Sequence, residues 1–112
     1  MNRVLVLLAA HNGADSIGRQ LSSVLAQRGV EVVVDVSDDA SSDSTSSVVR
    51  GLAKADARIR LLDDRSPKGS ASANFFSLVE QADVAGFDWV AFCDQDDEWH
   101  EFKLRRAVDM LQ

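Results

Sequence analysis

Residues 3–10, RVLVLLAA, form an unbroken apolar run, which predicts a strand covered on both faces. The polar turn HNGAD follows. Apolar side chains then recur at Ile17, Leu21, Val24 and Leu25, one face of a helix over 16–28, with Gly29 placed to stop it. VEVVVDV (30–36) predicts a second strand, and SDDASSDS (37–44) a polar loop that ends in good helix-capping residues. Val48, Val49 and Leu52 mark a second helix. RIRLLD (58–63) reads as a short third strand, and DRSPKGSAS (64–72) as a loop holding the single proline. Phe75, Phe76, Leu78, Val79 and Ala82 belong to a third helix, DWVAFCD (88–94) to a fourth strand, and 103–111 to a final amphipathic helix.

Four strand–helix units in succession predict an α/β fold of Rossmann-like type, a parallel sheet with helices on both faces. Right-handed crossovers restrict its topology. In such a sheet all strand C-termini lie along one edge, and ligands bind there, where the strand order reverses. Three polar clusters map to that edge: AHNG after the first strand, SDDASSD after the second and DQDDEW after the fourth. The loop SPKGSASAN follows the third.

The length of 112 residues fits one domain. A net charge of -6 argues against a general nucleic-acid binder, which would carry a basic face. It leaves a nucleotide ligand open, because a metal reverses the local sign. Cys93 is the one cysteine and lies in an apolar run, so the expectation is a buried thiol and no internal disulfide. No signal peptide is evident, and no apolar run approaches the roughly 20 residues of a membrane span. The expectation is a cytoplasmic domain without a membrane segment, attachment to the inner membrane face through a parent protein being left open.

The sharpest chemical signal is the acidic cluster, with Asp94, Asp96, Asp97 and Glu98 within five positions. Asp94 and Asp96 are two apart, so in extended chain they point the same way. Adjacent carboxylates repel unless a cation sits between them, and hard oxygen ligands suit Mn²⁺ or Mg²⁺. A solvated acidic turn that caps the last helix is the competing reading. An EF-hand loop fits poorly, because its required glycine and the spacing of its terminal glutamate are absent. In SDDAS, Asp38 and Asp39 are candidates to accept hydrogen bonds from a base or a ribose, with a local Asx-turn equally open. Asn12 and Gly13 suit a tight turn needing positive φ, and His11 could stack on a base or simply pack. No GxxxxGK[ST] or GxGxxG is present, so a nucleotide here is held by metal and carboxylates rather than by a glycine-rich phosphate cradle.

Taken in order, these segments resemble the donor-binding half of a family 2 glycosyltransferase with the GT-A fold, of the rhamnosyltransferase-like kind. VLVLLAAHNGADSIGRQLSSVLAQ resembles the family's opening strand, T-Y-N-G-type turn and first helix. VSDDASSDST resembles its V-D-D-G-S-T-D-x-T segment, and KGSASANFFSLVEQA the Gly- and Asn-containing segment after the third strand. FCDQDDEWHEFKL resembles the D-Q-D-D-x-W-x-x-x-K-L form of the D-x-D motif.

The resemblance implies roles for single positions. Asp39 would contact the uracil or thymine of the donor, with Asp38 supporting that loop. His11, Asn12, Lys68 and Asp94 would join the nucleotide-binding set. Asp94 and Asp96 match the D-x-D pair, Asp96 being the direct ligand of Mn²⁺ or Mg²⁺, and Asp97 would lie beside the donor sugar or the metal shell. Trp99 would pack, and Lys103 would pair with an acid or a phosphate. The sequence departs from the family at Ala9-Ala10-His11, where a stacking tyrosine gives way to histidine. It departs again at Ala40, a glycine in the family, and at His100 and Glu101, where a proline is common.

The implied function is metal-dependent, inverting transfer of a sugar from a UDP- or dTDP-sugar to a saccharide or lipid-linked acceptor, in the synthesis of cell-surface polysaccharide. Family members continue for roughly another domain, which carries the acceptor site and the general base. The expectation is therefore a donor-binding fragment that is inactive alone, with no catalytic residue of its own. Two other readings stand beside it. One is a non-catalytic nucleotide-binding module. The other, a flavodoxin-like receiver domain, fits poorly because its first strand should end in acids.

Overall fold

The computed structural model describes residues 1–38, 42–62, 71–94 and 98–112. Among these, β1 (Asn2–Ala10), β2 (Val30–Asp38), β3 (Ile59–Leu61) and β4 (Trp89–Cys93) form a parallel sheet in the order β3-β2-β1-β4. Helices α1 (Ile17–Leu25), α2 (Thr45–Ala55), α3 (Ala71–Gln81) and α4 (Lys103–Leu111) connect and flank the strands.

The apolar run of β1 is central because it is paired on both sides, and Val4 to Leu8 are at most 1% exposed. Its alternate side chains feed two cores. Val4, Val6, Leu8 and Ala10 pack with Ile17, Leu21 and Val24 of α1, Val49 of α2, and Leu104 and Val108 of α4. Leu5, Leu7 and Ala9 pack with Leu78 of α3 on the opposite face. Helices therefore cover both faces, as the continuous hydrophobicity of β1 requires. Each fully buried Val or Leu here is worth roughly 1.5–3 kcal/mol.

The elements β2, β3 and α1 depart from their sequence expectations by more than a single residue at one end. The second strand runs on through Ser37 and Asp38, because β1 continues to offer a paired edge at Ala9 and Ala10. The third strand contracts to Ile59–Leu61. Helix α1 stops at Leu25 rather than at residue 28. Beyond it the chain turns to meet the segment before α4, and the Arg28 N–H donates to the Glu101 carbonyl at 2.8 Å.

Gly29 makes the reversal into β2 with φ +81°, and a Cβ there would lie 2.9 Å from Arg105 Nη1. Gly29→Ala should therefore cost about 1–2 kcal/mol, the penalty of an L residue in left-handed backbone. Arg105 can swing aside, so it adds little. The shift of the urea-unfolding midpoint measures the cost.

Candidate donor site at the sheet's switch point

Strand order reverses between β1 and β4. The chain goes from β1 outward to β2 and β3, then returns to β1's other side. The C-terminal ends of these two strands part to form the crevice where α/β sheets bind ligands. His11 and Asn12 leave β1 there, Asp94 leaves β4, and Asp38 ends β2 on the other side of β1, in register with Ala10. The structure thus brings His11, Asn12, Asp38 and Asp94 to one edge. Asp39, Lys68, Asp96 and Asp97 lie outside the described residues.

Asn12 shows how the edge is built. The turn's left-handed residue is Asn12 itself, at φ 49°. Asn tolerates this region because its short amide bonds locally. Its Oδ1 accepts from the Ser42 N–H at 2.8 Å, the Ser42 hydroxyl at 3.3 Å and the Asp43 N–H at 3.4 Å. The Thr45 hydroxyl accepts from the Gly13 N–H at 2.8 Å, and the Asp43 carboxylate accepts from the Ala14 N–H at 3.2 Å. Asp43 also accepts from the N–H and the hydroxyl of Thr45. The loops after β1 and β2 are in this way tied into one wall. His11 is exposed on that wall, its Nε2 3.4 Å from Asn12 Nδ2.

Asp43 is the titrating member of this clamp. The Thr45 hydroxyl, with backbone N–H groups of Thr45 and Ala14, holds its carboxyl below the ordinary value, against an opposing push from desolvation. The folded pKa is lower than the unfolded one. The clamp is therefore intact above the ordinary carboxylate pKa and is lost as pH falls through the lowered value. NMR titration of the Asp43 carboxyl carbon should give a midpoint below that of the same residue in an unfolded peptide. The Ala14 amide should shift with it.

Asp94 is exposed, while the chain around it is fixed from α1. Gln20, wholly buried, donates from Nε2 to the Asp94 carbonyl and, at 3.2 Å, to Cys93 Sγ. On the far side of the acidic segment, Arg19 Nε meets Glu98 Oε1 at 3.0 Å, and the Ser23 hydroxyl accepts from the Trp99 N–H at 3.0 Å. Trp99 packs into the main core, as expected, and Lys103 Nζ stands 4.8 Å from its ring centroid. Trp99 and Lys103 thus meet in a cation–π contact.

Asn74 joins the edge from α3. Its amide, 2% exposed, donates to the Ser37 carbonyl at 3.1 Å and to the Ala10 carbonyl at 3.4 Å. These are carbonyls of adjacent strand ends. Asn74, Gln20, Asp43 and Thr45 had no role assigned from sequence. Asp43 and Thr45 stand at the D-x-T of the VSDDASSDST segment and Asn74 at the Asn of KGSASAN, which is the signal they gave, and Gln20 is an amide three residues from Ile17 on the apolar face of its helix.

The family model described as glycosyl transferase family 2 matches residues 5–112. The chain belongs to that family. Among curated glycosyltransferases, dTDP-rhamnosyl transferase RfbG of Shigella flexneri is 32% identical over 105 residues, 93% of this chain and 36% of that protein. The Escherichia coli UDP-Glc:alpha-D-GlcNAc-diphosphoundecaprenol beta-1,3-glucosyltransferase WfgD is 34% identical over 108 residues, 96% of this chain and 40% of that one. This family 2 chain thus spans little more than a third of these relatives. The structure of S. aureus TarS 1-349 in complex with UDP-GlcNAc superposes with a TM-score of 0.81 at 23% identity, over 99% of this chain and 31% of that one. The mannosyltransferase PcManGT from Pyrobaculum calidifontis, in complex with GDP-Man and Mn2+, gives 0.78 at 28% identity, over 96% of this chain and 32% of its own. The fold is accordingly the Rossmann-like GT-A type.

Proposed function

We propose that this chain is the donor-binding part of a glycosyltransferase that moves a sugar from a UDP- or dTDP-sugar to an acceptor hydroxyl with inversion at the anomeric carbon. The observation that supports it most is the placement of Asn12, Asp38 and Asp94 along the C-terminal edge of the sheet, Asn12 and Asp94 at its switch point and Asp38 across β1 from it. The relatives whose names specify dTDP and UDP-Glc donors point to the same nucleotide class.

In this reading Asp39 accepts from the pyrimidine N–H, and Asp38 supports the loop that carries it. The wall built on Asn12 and His11 borders the nucleotide, with Lys68 a further contact. Asp94 and Asp96 would hold Mn²⁺ or Mg²⁺, with Asp97 beside the sugar. The donor set fits a hard cation. Asp94 has its carbonyl engaged by Gln20 while its side chain is exposed at the strand end. Ions of this kind take one or two carboxylates and complete their shell with water and phosphate oxygens. Such an ion supplies charge neutralisation to the departing diphosphate. The acceptor oxygen bonds to the anomeric carbon as the bond to the diphosphate oxygen breaks. The acceptor's proton goes to a general base outside these residues.

Calorimetric titration with UDP and with dTDP, in Mn²⁺ and in EDTA, tests the reading. Binding of at least one nucleotide, strengthened by Mn²⁺, is the expected result. A folded chain that binds neither in either condition would refute it.

A further inference from the structure

The two ends of the acidic segment are held by a single stripe on one helix. Gln20, Ser23 and Gln27 follow a spacing of three and four, so they share a face of α1 and of the turn after it. Gln20 takes the entry side, at Cys93 and Asp94. The Ser23 hydroxyl donates to the Gln20 carbonyl at 2.7 Å and accepts from the Trp99 N–H. The Gln27 amide donates to the His100 carbonyl at 2.7 Å, and its Oε1 accepts from the Leu104 N–H at 2.9 Å. That last bond caps α4, whose own N-cap residue, Phe102, makes no side-chain cap bond. Gln20 and Gln27 are buried, at 0% and 7% exposure.

Amides so deeply buried are costly unless every bond they make is kept. Apolar residues would serve packing alone at these positions. We infer that the Gln20–Ser23–Gln27 stripe is the positioning element of the donor site: it fixes the chain at Asp94 and at Trp99–His100 against α1, and thereby sets the Asp94 carboxylate for metal-dependent nucleotide binding. The inference rests on the proposed donor site, and it assigns these three residues no contact with the donor. Gln20 carries most of the effect, since it grips the backbone carbonyl of Asp94, the residue that bears the carboxylate.

Two readouts separate anchoring from donor binding. Cys93, the single cysteine, is buried beneath Gln20, so its rate of labelling by a thiol reagent without ligand reports on the anchor. Gln20→Leu keeps the volume and removes the donor. It should raise the labelling rate about tenfold and lower Mn²⁺-dependent UDP or dTDP affinity about tenfold, the equivalent of one buried hydrogen bond, while affinity in EDTA stays level. Val49→Ala, which thins the core on α2 away from the stripe, is the control for general loosening. Should Gln20→Leu fail to fold, Ser23→Ala carries the same test through Trp99. Labelling that only tracks stability, as in Val49→Ala, overturns the anchor. Equal losses in Mn²⁺ and EDTA, or none, overturn the positioning role. A wild type without any Mn²⁺ enhancement refutes the metal reading and the positioning role together. It leaves the ligand-free labelling result standing by itself.

Discussion

Asp96→Asn should abolish most of the Mn²⁺ enhancement of UDP or dTDP binding and leave binding in EDTA almost unchanged. The chain carries a net charge of -6, and four of its acids fall in 94–98. A diphosphate brought to that segment meets repulsion unless a cation intervenes. Removing one negative charge then has opposite consequences under the two readings of the segment. If Asp96 belongs to a solvated acidic turn, Asp96→Asn relieves repulsion, and nucleotide binding is equal or better in every condition. If Asp96 ligates a divalent ion, the same change removes a charged oxygen ligand. The loss is then about 2–3 kcal/mol, the scale of a strong charge-assisted contact, or roughly 30- to 150-fold in Kd. Calorimetry of wild type and variant, each with Mn²⁺ and with EDTA, gives four affinities. A variant that keeps the whole Mn²⁺ enhancement would return DQDDE to the role of a helix-capping turn.

The order of strands and helices was legible in the sequence because the two hydrophobic periods are strong here. RVLVLLAA, short, carrying two valines and followed by a polar turn, reads as a strand buried on both faces, and Ile17, Leu21 and Val24 mark a helix face. The ligand edge followed, since a parallel sheet leaves its C-terminal loops together. Less legible were the polar contacts that give the edge its shape. Gln20 and Cys93 are 73 residues apart, and Gln27 and Leu104 are 77 apart. No local pattern announces a partner at that distance. The early stop of α1 has the same origin, because residues 26–28 turn toward a segment that arrives only after β4. Positive φ at Asn12 also depends on non-local donors, from Ser42 and Asp43. Of the residues singled out for donor and metal, Asp39, Lys68, Asp96 and Asp97 lie outside the described residues, so their roles rest on sequence, and Asp96→Asn tests one of them.

Asn74→Asp should destabilise the fold by about 3 kcal/mol at neutral pH, through an exchange of one NH₂ for one oxygen. The side chain is 2% exposed, and its amide nitrogen donates to the carbonyls of Ser37 and Ala10. A carboxylate there donates nothing. Two strand-end carbonyls lose their bond, and an added negative charge is buried against their oxygens. Burial raises the folded pKa of the introduced carboxyl above its unfolded value. The folded state then binds the proton more tightly, so the deficit is largest at high pH and shrinks as pH falls toward the raised pKa. A protonated carboxyl restores one of the two donors. For a domain near this size about 3 kcal/mol lowers Tm by roughly 10–20 °C. Asn74→Leu removes both donors without adding charge, so it should cost less at high pH and show no such pH dependence. Thermal unfolding of both variants at several pH values between about 8 and about 5.5 resolves the charge from the lost bonds, on the ordinary scale of buried carboxyl pKa shifts. If Asn74→Asp matched wild type at high pH, Asn74 could not be the bridge that holds the β1 and β2 ends side by side at the proposed donor site.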